Sequence, residues 1–349
     1  MTNAAAPPEA GAAAPICEVK GLGYGNYILR RTIYTIIVLF IILSLNFVIF
    51  RLMPGDPVRS ILDPQMTPEA KLLLRKQFGL DEPLEKQYLL YMRSLLRFDF
   101  GYSFSTRMPV KQEILDRLPN SVLLLGLALL ITMSTGIVVG VFAASRRGSF
   151  LETLVTGSGL FAYAVPAFFL QLILLLVFGY FLPIFPIRGT MSVPPPPGGL
   201  ALVLDRIYHL ILPVTSLVII NIGYWALYTR NAMLDALSQD YIVTAKAKGL
   251  NRSQVLYRHA FRSILPPIVT LIFLNLPTAI SGAVVTETIF SWYGIGRYLL
   301  EAVLKQDYPA AQGAFYLIAL AVLICNFMAD LTYGWVDPRI RVGRGGDRG

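Results

Sequence analysis

The chain has 349 residues, 55% of them apolar and only 15% charged, with a mean hydropathy of +0.60 and a formal net charge of +9. A soluble chain carries about 25% charged residues, so a soluble multidomain protein is excluded, and long continuous apolar runs exclude the alternating pattern of a transmembrane β-barrel. Two cysteines, Cys17 and Cys325, at opposite ends provide no disulfide framework, and the basic excess is taken up by membrane orientation rather than nucleic acid, since no basic cluster interleaved with aromatics is left over.

Six stretches contain no Asp, Glu, Lys or Arg: residues 32–50, 119–145, 153–187, 207–229, 263–286 and 308–329, with lengths of 19, 27, 35, 23, 24 and 22. A helix rises about 1.5 Å per residue and needs about 20 apolar residues to cross roughly 30 Å of hydrocarbon, so each suffices for a span. The expected fold class is all-α, a polytopic membrane protein with six transmembrane helices.

In chain order, residues 1–27 form an Ala/Pro-rich tail whose composition predicts disorder. The first apolar run follows Arg30 and Arg31 without a small-residue cleavage site and is read as a retained helix. The membrane domain covers 28–341, with an insertion at 51–118, and 342–349 is a C-terminal tail. In the insertion, Thr67-Pro68-Glu69 has the order of an N-cap, a first-turn proline and a first-turn acid, and Gly79 stops the helix over 69–78. A second helix is expected over 84–96, ending before Gly101. The 35-residue stretch is too long for one straight span, and Pro166 marks its kink or boundary. Pro194 to Pro197 form an extended spacer.

Fifteen Lys and Arg lie in the N-terminal tail, the second-to-third and fourth-to-fifth connections and the C-terminal tail. Four, Arg188, Arg206, Arg297 and Lys305, lie in the two short loops between. This asymmetry places both termini in the cytoplasm and 51–118 outside; the insertion itself is too long for its charge to decide orientation.

The loop 230–262 then faces the cytoplasm and reads as two short helices. A helix-forming run over 241–248 is stopped by Gly249, and Asn251 with Gln254 has the spacing of a capping box opening a helix over 252–262. Val243, Ala245, Ala247 and Gly249 leave a narrow surface flanked by Lys246 and Lys248. Two readings stay open: a connector lying on anionic lipid, or a docking element for a soluble partner. Ala245 and Gly249, four apart, share one helix side, which is the side expected to meet a partner; Lys246 is rotated from Ala245 by about 100°.

Asn46, Gln171, Asn221 and Asn275 are the polar groups expected near mid-membrane. Hydrocarbon penalises unpaired amides, so they are expected to face the bundle interior, either hydrogen-bonding between helices or lining a translocation path. Pro166, Pro213, Pro266 and Pro277 read as kinks or helix starts. The spans contain no charge, unlike the paths of proton- or sodium-coupled secondary carriers.

No catalytic motif competes. There is no Gly-Lys dipeptide and hence no phosphate-binding loop of the GxxxxGK[ST] form, and no HExxH or GxSxG. Gly21, Gly23 and Gly25, and likewise Gly294 and Gly296, follow no strand and read as flexible loop. His209 and His259 read as lacking a carboxylate or cysteine at ligand spacing, so no metal site is expected.

The stretch from Tyr241-Ile242-Val243-Thr244-Ala245 to Lys246-Ala247-Lys248-Gly249-Leu250, followed by His259 to Pro266, resembles the cytoplasmic EAA loop of ABC importer permeases. Its form is closest to the first, B-type permease of the dipeptide/oligopeptide/nickel branch. Pro54-Gly55-Asp56-Pro57 is similar to that branch's PGDP, residues 78–83 to its FGLDxP, and Asp307-Tyr308-Pro309 and Asp337-Pro338-Arg339 to its DYP and terminal DPR. The resemblance covers 29–341. Val243, Thr244 and Ala245 stand where other importers have Glu-Ala-Ala, and the interval from Gly249 to Pro266 is longer than in sugar-type permeases; both features resemble the peptide branch. The resemblance implies the ABC importer permease fold in the cytoplasmic (inner) membrane, with Thr244, Ala245, Lys246, Ala247, Lys248, Gly249 and Leu250 as the ATPase-coupling loop. It implies a homologous second permease, two cytoplasmic ATP-binding subunits and an extracytoplasmic solute-binding protein. ATP and Mg would be used by the partners, with no cofactor on this chain and no enzymatic activity of its own. The implied cargo is a di- or oligopeptide, with oligosaccharide or a nickel or other metal chelate as the alternative.

Overall fold

The computed structural model describes residues 24–52, 82–280 and 284–336. The bulk of the N-terminal tail, the motif at 54–57, the helix expected over 69–78, the first residues of the motif at 78–83, the terminal Asp337-Pro338-Arg339 and the C-terminal tail lie outside the described residues.

Helices account for the described secondary structure apart from one isolated bridge between Tyr102 and Pro109. They are α1 (Tyr24–Leu52), α2 (Leu84–Leu96), α3 (Val110–Ser145), α4 (Phe150–Ala164), α5 (Ala167–Leu175, running on as a π-helical turn Leu176–Phe181) and α6 (Leu200–Leu237). There follow α7 (Asp240–Ala247), a π-helical stretch Gln254–Phe261 that leads directly into α8 (Arg262–Ile280), α9 (Val284–Ile289), α10 (Ile295–Leu304) and α11 (Tyr308–Val336).

Among the described residues, five helices are long and apolar enough to cross a membrane: α1, α3, α6, the π-helical stretch with α8, and α11. A sixth crossing requires α4 and α5 together, which meet at 96°. The break falls at Val165-Pro166, where Val165 is extended (ψ 128°), because a proline ring disfavours helical backbone at the residue before it. Several boundaries differ from expectation: α1 begins at Tyr24, inside the tail expected over 1–27, and α3 begins at Val110, inside the insertion expected over 51–118. α6 continues through Arg230 to Leu237, so the first part of the loop 230–262 is an extension of a span. The helix opening at Arg252 is not separate either. It joins α8, since nothing between the cap and Pro266 interrupts helical hydrogen bonding.

α3 and α6 form the most extensive helix pairing among the described residues. Glycine makes the approach possible. A Cβ on Gly136 would stand 2.4 Å from Trp225 Cβ, and one on Gly140 2.5 Å from the Ala226 carbonyl oxygen and 2.7 Å from Thr229 Cβ. On α4, Gly159 meets Gly223 of α6 backbone to backbone. Without a hydrophobic driving force between helices in lipid, close backbone approach is how dispersion contacts accumulate. α1 contributes a narrow buried stripe, Leu43, Asn46 and Phe50, at helical spacing, and leaves its other faces exposed.

At the end of the bundle opposite α7, α2, α10 and the starts of α3 and α11 enclose a second core that includes Phe100, Val110, Ile114 and Tyr298. Its polar groups are paired. Asp307 caps α11 by accepting from Ala310 N (3.3 Å) and holds the 103–105 turn through Ser103 Oγ (2.5 Å) and Ser105 N (2.9 Å). Glu113 accepts from Tyr298 OH (2.9 Å) and Thr106 Oγ1 (3.1 Å), and Arg117 sits 4.3 Å from the ring centroids of both Tyr293 and Tyr298. Burial, with Glu113 beside it, pushes the Tyr298 phenol well above its usual range.

Glu287, one residue past the fifth uncharged stretch, is fully buried and accepts from Ser121 Oγ (2.7 Å) and the Arg297 N–H (2.9 Å). Burial raises its carboxyl above the ordinary range despite these bonds. The turn containing Gly294 and Gly296 wraps this carboxylate: a Cβ on Gly294 would lie 2.4 Å from Glu287 Cδ. Those two glycines are therefore a close-approach device, which corrects their reading as flexible loop.

Gly140→Ala is expected to force α3 and α6 apart and to cost about 1–3 kcal/mol, as overpacked cores do. Gly126→Ala, with nothing within 4 Å of the added Cβ, should be neutral. Thermal unfolding of the two variants in detergent checks the contrast; equal midpoints would remove the glycine contact from the fold's determinants.

Candidate functional site

α7 is held as a short cross-member under the ends of three long helices. Gln239 is extended (ψ 151°) and its carbonyl accepts from Ile242 N at 3.0 Å, turning the chain out of α6, and Asp240 places an acid in the first turn, where the helix dipole favours it. Ile242 (0% exposed) and Ala245 (4%) point inward, three apart on one face. They join a cluster with Val141 and Ala144 of α3, Met233 and Ala236 of α6, and Val255 and Ala260 of the π-helical stretch.

The C-terminal end of α7 is a Schellman stop. Gly249 N donates to Lys246 O at 2.9 Å and Leu250 N to Ala245 O at 3.4 Å, with Gly249 at φ +77°. The capping box that opens the next helix is present with both reciprocal bonds, Gln254 N to Asn251 Oδ1 (2.8 Å) and Asn251 N to Gln254 Oε1 (3.0 Å). Three further ties brace the unit. Tyr241 OH and Ser263 Oγ stand 2.8 Å apart, Arg252 donates to the Ser145 carbonyl at the end of α3, and Arg230 Nε donates to Glu152 Oε1 at 2.8 Å across the α3–α4 elbow.

Of the seven loop residues singled out from sequence, Thr244, Lys246, Ala247, Lys248 and Gly249 are exposed, Leu250 is half-buried against the cluster, and Ala245 is buried. Ala245 thus faces the chain's own spans while Gly249 stays exposed, so the two do not form one outward docking side, which corrects the expected docking face at Ala245. The physical reason is that Ile242 and Ala245 share a face and the spans supply apolar partners for it. The outward face carries Val243 (63% exposed), Tyr241, Lys246 and Lys248. The i, i+3 pairing of Ile242 with Ala245 was the available signal.

The four span amides divide. Asn46 is buried and donates to Tyr91 OH (2.9 Å) and Gln312 O (3.4 Å), joining α1 to α2 and α11. Gln171 is buried and donates to Thr286 Oγ1 (2.8 Å), joining α5 to α9. Asn46 Oδ1 and Gln171 Oε1 lack a partner among the described residues. Asn275 is half-buried and donates to Leu271 O in its own helix (2.8 Å). Asn221 faces out of the chain and donates to Leu217 O (2.8 Å), against the expectation that it faces inward. Bonding to a carbonyl one turn back satisfies part of an amide without any neighbouring helix, so such a residue need not point inward.

His209 also differs from its sequence reading. Nδ1 lies 2.8 Å from the Asp205 carbonyl and 3.6 Å from Asp205 Oδ1, one helical turn away, while His259 lies in the π-helical stretch. Among the described residues no group of three His, Cys, Asp or Glu side chains is arranged to hold a metal ion.

Residues 136–342 match the family model for the binding-protein-dependent transport system inner membrane component, and residues 25–125 match the model for the N-terminal part of such membrane components. The chain is 38% identical over 335 residues to the di/tripeptide transport system permease protein DppB of Pseudomonas aeruginosa, covering 90% of this chain and 98% of that one. It is 36% identical to the oligopeptide transport system permease protein AppB of Bacillus subtilis and to the dipeptide transport system permease protein DppB of Escherichia coli, each with the same two coverages.

The burial pattern of α7 generates a contrast readable without any partner. Ala245→Asp would place an unpaired charge in an apolar cluster and should cost about 3 kcal/mol or more, lowering the unfolding midpoint of the isolated chain. Val243→Asp, on the outward face, should leave that midpoint within experimental error. Equal destabilisation by both would mean that α7 is not oriented as described.

Proposed function

We propose a role that proceeds from the chain's family: it belongs to the binding-protein-dependent transport system inner membrane components. It is the membrane-embedded permease subunit of an ABC importer for di- or oligopeptides. The observation that carries the coupling part of this reading is α7, seated by Ile242 and Ala245 on the ends of α3, α6 and the π-helical stretch, with Val243, Lys246 and Lys248 turned outward. The likeness to three peptide-system permeases over nine-tenths of the chain supports the cargo class.

Two cytoplasmic ATP-binding subunits would engage the outward face of α7. Nucleotide-driven closure of those subunits moves α7, and because its buried face is common to the ends of several spans, the displacement passes to them as a rigid-body shift that alternates access between the two sides. ATP and Mg act on the partner subunits, and this chain has no catalytic role. A homologous second permease would cover surfaces of this chain that bear polar groups, Asn221 among them, which keeps that residue a candidate for the translocation path. Both termini lie in the cytoplasm of a cell whose inner membrane holds the complex, and an extracytoplasmic solute-binding protein delivers the cargo.

Uptake by the reconstituted complex tests the cargo: ATP-dependent accumulation of labelled dipeptide is expected, and accumulation of an oligosaccharide or nickel chelate in its place would overturn the peptide reading. Gly249→Val puts a β-branched residue at φ +77°, a strain of roughly 1–2 kcal/mol. Because nothing lies within 4 Å of the added Cβ, that strain is confined to the turn. Normal membrane abundance, weak co-purification of the ATPase and lost uptake are expected; full uptake would detach the loop from the mechanism. For orientation, a membrane-impermeant thiol reagent should label Glu85→Cys in intact cells and spare Ser253→Cys, and the reverse pattern would invert the topology.

A further inference from the structure

A cleft of about 550 Å³ opens at the end of the bundle opposite α7. The connection after α5 forms one wall through Arg188 and Ser192, the α9–α10 turn forms the other through Ser291 and Arg297, and His209 of α6 lies between. The walls are tied together, since Gly189 N donates to Phe290 O at 3.1 Å.

Its charge is unbalanced. Among the described residues no carboxylate lines it. The three acids bonded to its lining residues are occupied: Asp205 accepts from Ser192 N (2.8 Å) and Ser192 Oγ (2.6 Å), Glu301 accepts from Arg297 Nε (2.7 Å), and Glu287 accepts from the Arg297 N–H (2.9 Å) and Ser121 Oγ (2.7 Å). Arg297 thereby keeps both terminal nitrogens without a partner among the described residues, and Arg188 is exposed with no hydrogen bond or ion pair there. His209 is buried, and its Nδ1 is committed to the Asp205 carbonyl, so Nε2 is the ring nitrogen left unengaged.

We propose that this cleft is a carboxylate site that receives the C-terminal end of a translocating peptide. The inference rests on the peptide-permease reading above and names where, and by which group, this chain meets its cargo. Guanidinium groups match carboxylates with paired N–H donors, and an arginine without an internal partner is the group an incoming anion would find. The volume falls within the roughly 300–1,000 Å³ of small-molecule sites. It suits one or two residues of a chain end, whereas docked proteins bury about 800 Å² on each side of a broad surface. Met191 and Val193 supply apolar wall beside the arginines for a terminal side chain.

The test uses the complete complex in proteoliposomes with its binding protein, and compares uptake of a dipeptide bearing a free C-terminal carboxylate with uptake of its C-terminal amide. The ratio of the two rates is compared between wild type, Arg188→Gln and Arg188→Lys, so selectivity contributed by the binding protein cancels. A charge-assisted hydrogen bond contributes about 1.5–3 kcal/mol, so Arg188→Gln should reduce the carboxylate-to-amide ratio about tenfold or more, with Arg188→Lys restoring part of it. A ratio unchanged in Arg188→Gln overturns the proposal. So does an equal fall for both peptides accompanied by weaker association of the binding protein, which would make the cleft a docking contact for an acidic side chain of that protein. Failure of the wild-type complex to take up either peptide would instead strike the peptide-permease reading itself.

Discussion

The packing of α3 against α6 is the contact on which the rest of the architecture depends. Two helices approach closely only where neither carries side-chain bulk at the crossing, and Gly136 and Gly140 clear that space for Trp225, Ala226 and Thr229. α6 is 38 residues long and spans the distance from the cleft wall at His209 to the cluster beneath α7 at Met233 and Ala236. A rigid pairing in its middle therefore lets displacement at one end reach the other. A looser crossing would absorb such movement in side-chain repacking, because packed interfaces switch between discrete arrangements only when they are tight.

Charge is distributed according to the same economy of solvation. The uncharged stretches lie across the middle of the bundle, while three buried carboxylates, Glu113, Glu287 and Asp307, gather at the end opposite α7, each held by donors. Glu287 illustrates the balance: Ser121 and the turn after Trp292 hold it, yet burial still raises its carboxyl. Protonation of such a group is favoured by folding, so its contribution to stability is present at acidic pH and declines as pH rises from the ordinary carboxylate range toward its raised value. At the other end, Arg31 with Asp330 and Arg230 with Glu152 pair charges between helices where the apolar stretches stop.

The α7 region combines two requirements that pull in opposite directions. Seating on the spans calls for apolar burial, met by Ile242 and Ala245, and the coupling role proposed for α7 would also call for an exposed surface, which Val243, Lys246 and Lys248 provide. A helix of eight residues can serve both only if its two faces are sharply divided and its ends are fixed. The Schellman stop at Gly249 and the capping box at Asn251 and Gln254 fix one end, and the turn at Gln239 fixes the other.

Much of this was legible in the residues alone. The apolar stretches, the bend at Pro166, the helix over 84–96, the stop at Gly249 and the cap at Asn251 all follow from local chemistry, in which a side chain acts on backbone a few residues away or on the solvent around it. Other features depended on what distant segments bring. Nothing near Ala245 says that Met233 and Val255 will cover it, nothing near Gly294 says that a carboxylate will occupy the space its Cβ would need, and Asn221 could only be seen to face outward once its helix was packed. Hydrophobicity and capping are written along the chain, whereas the direction in which a face is buried is set by contacts between residues far apart in sequence, and those exist only in the tertiary structure.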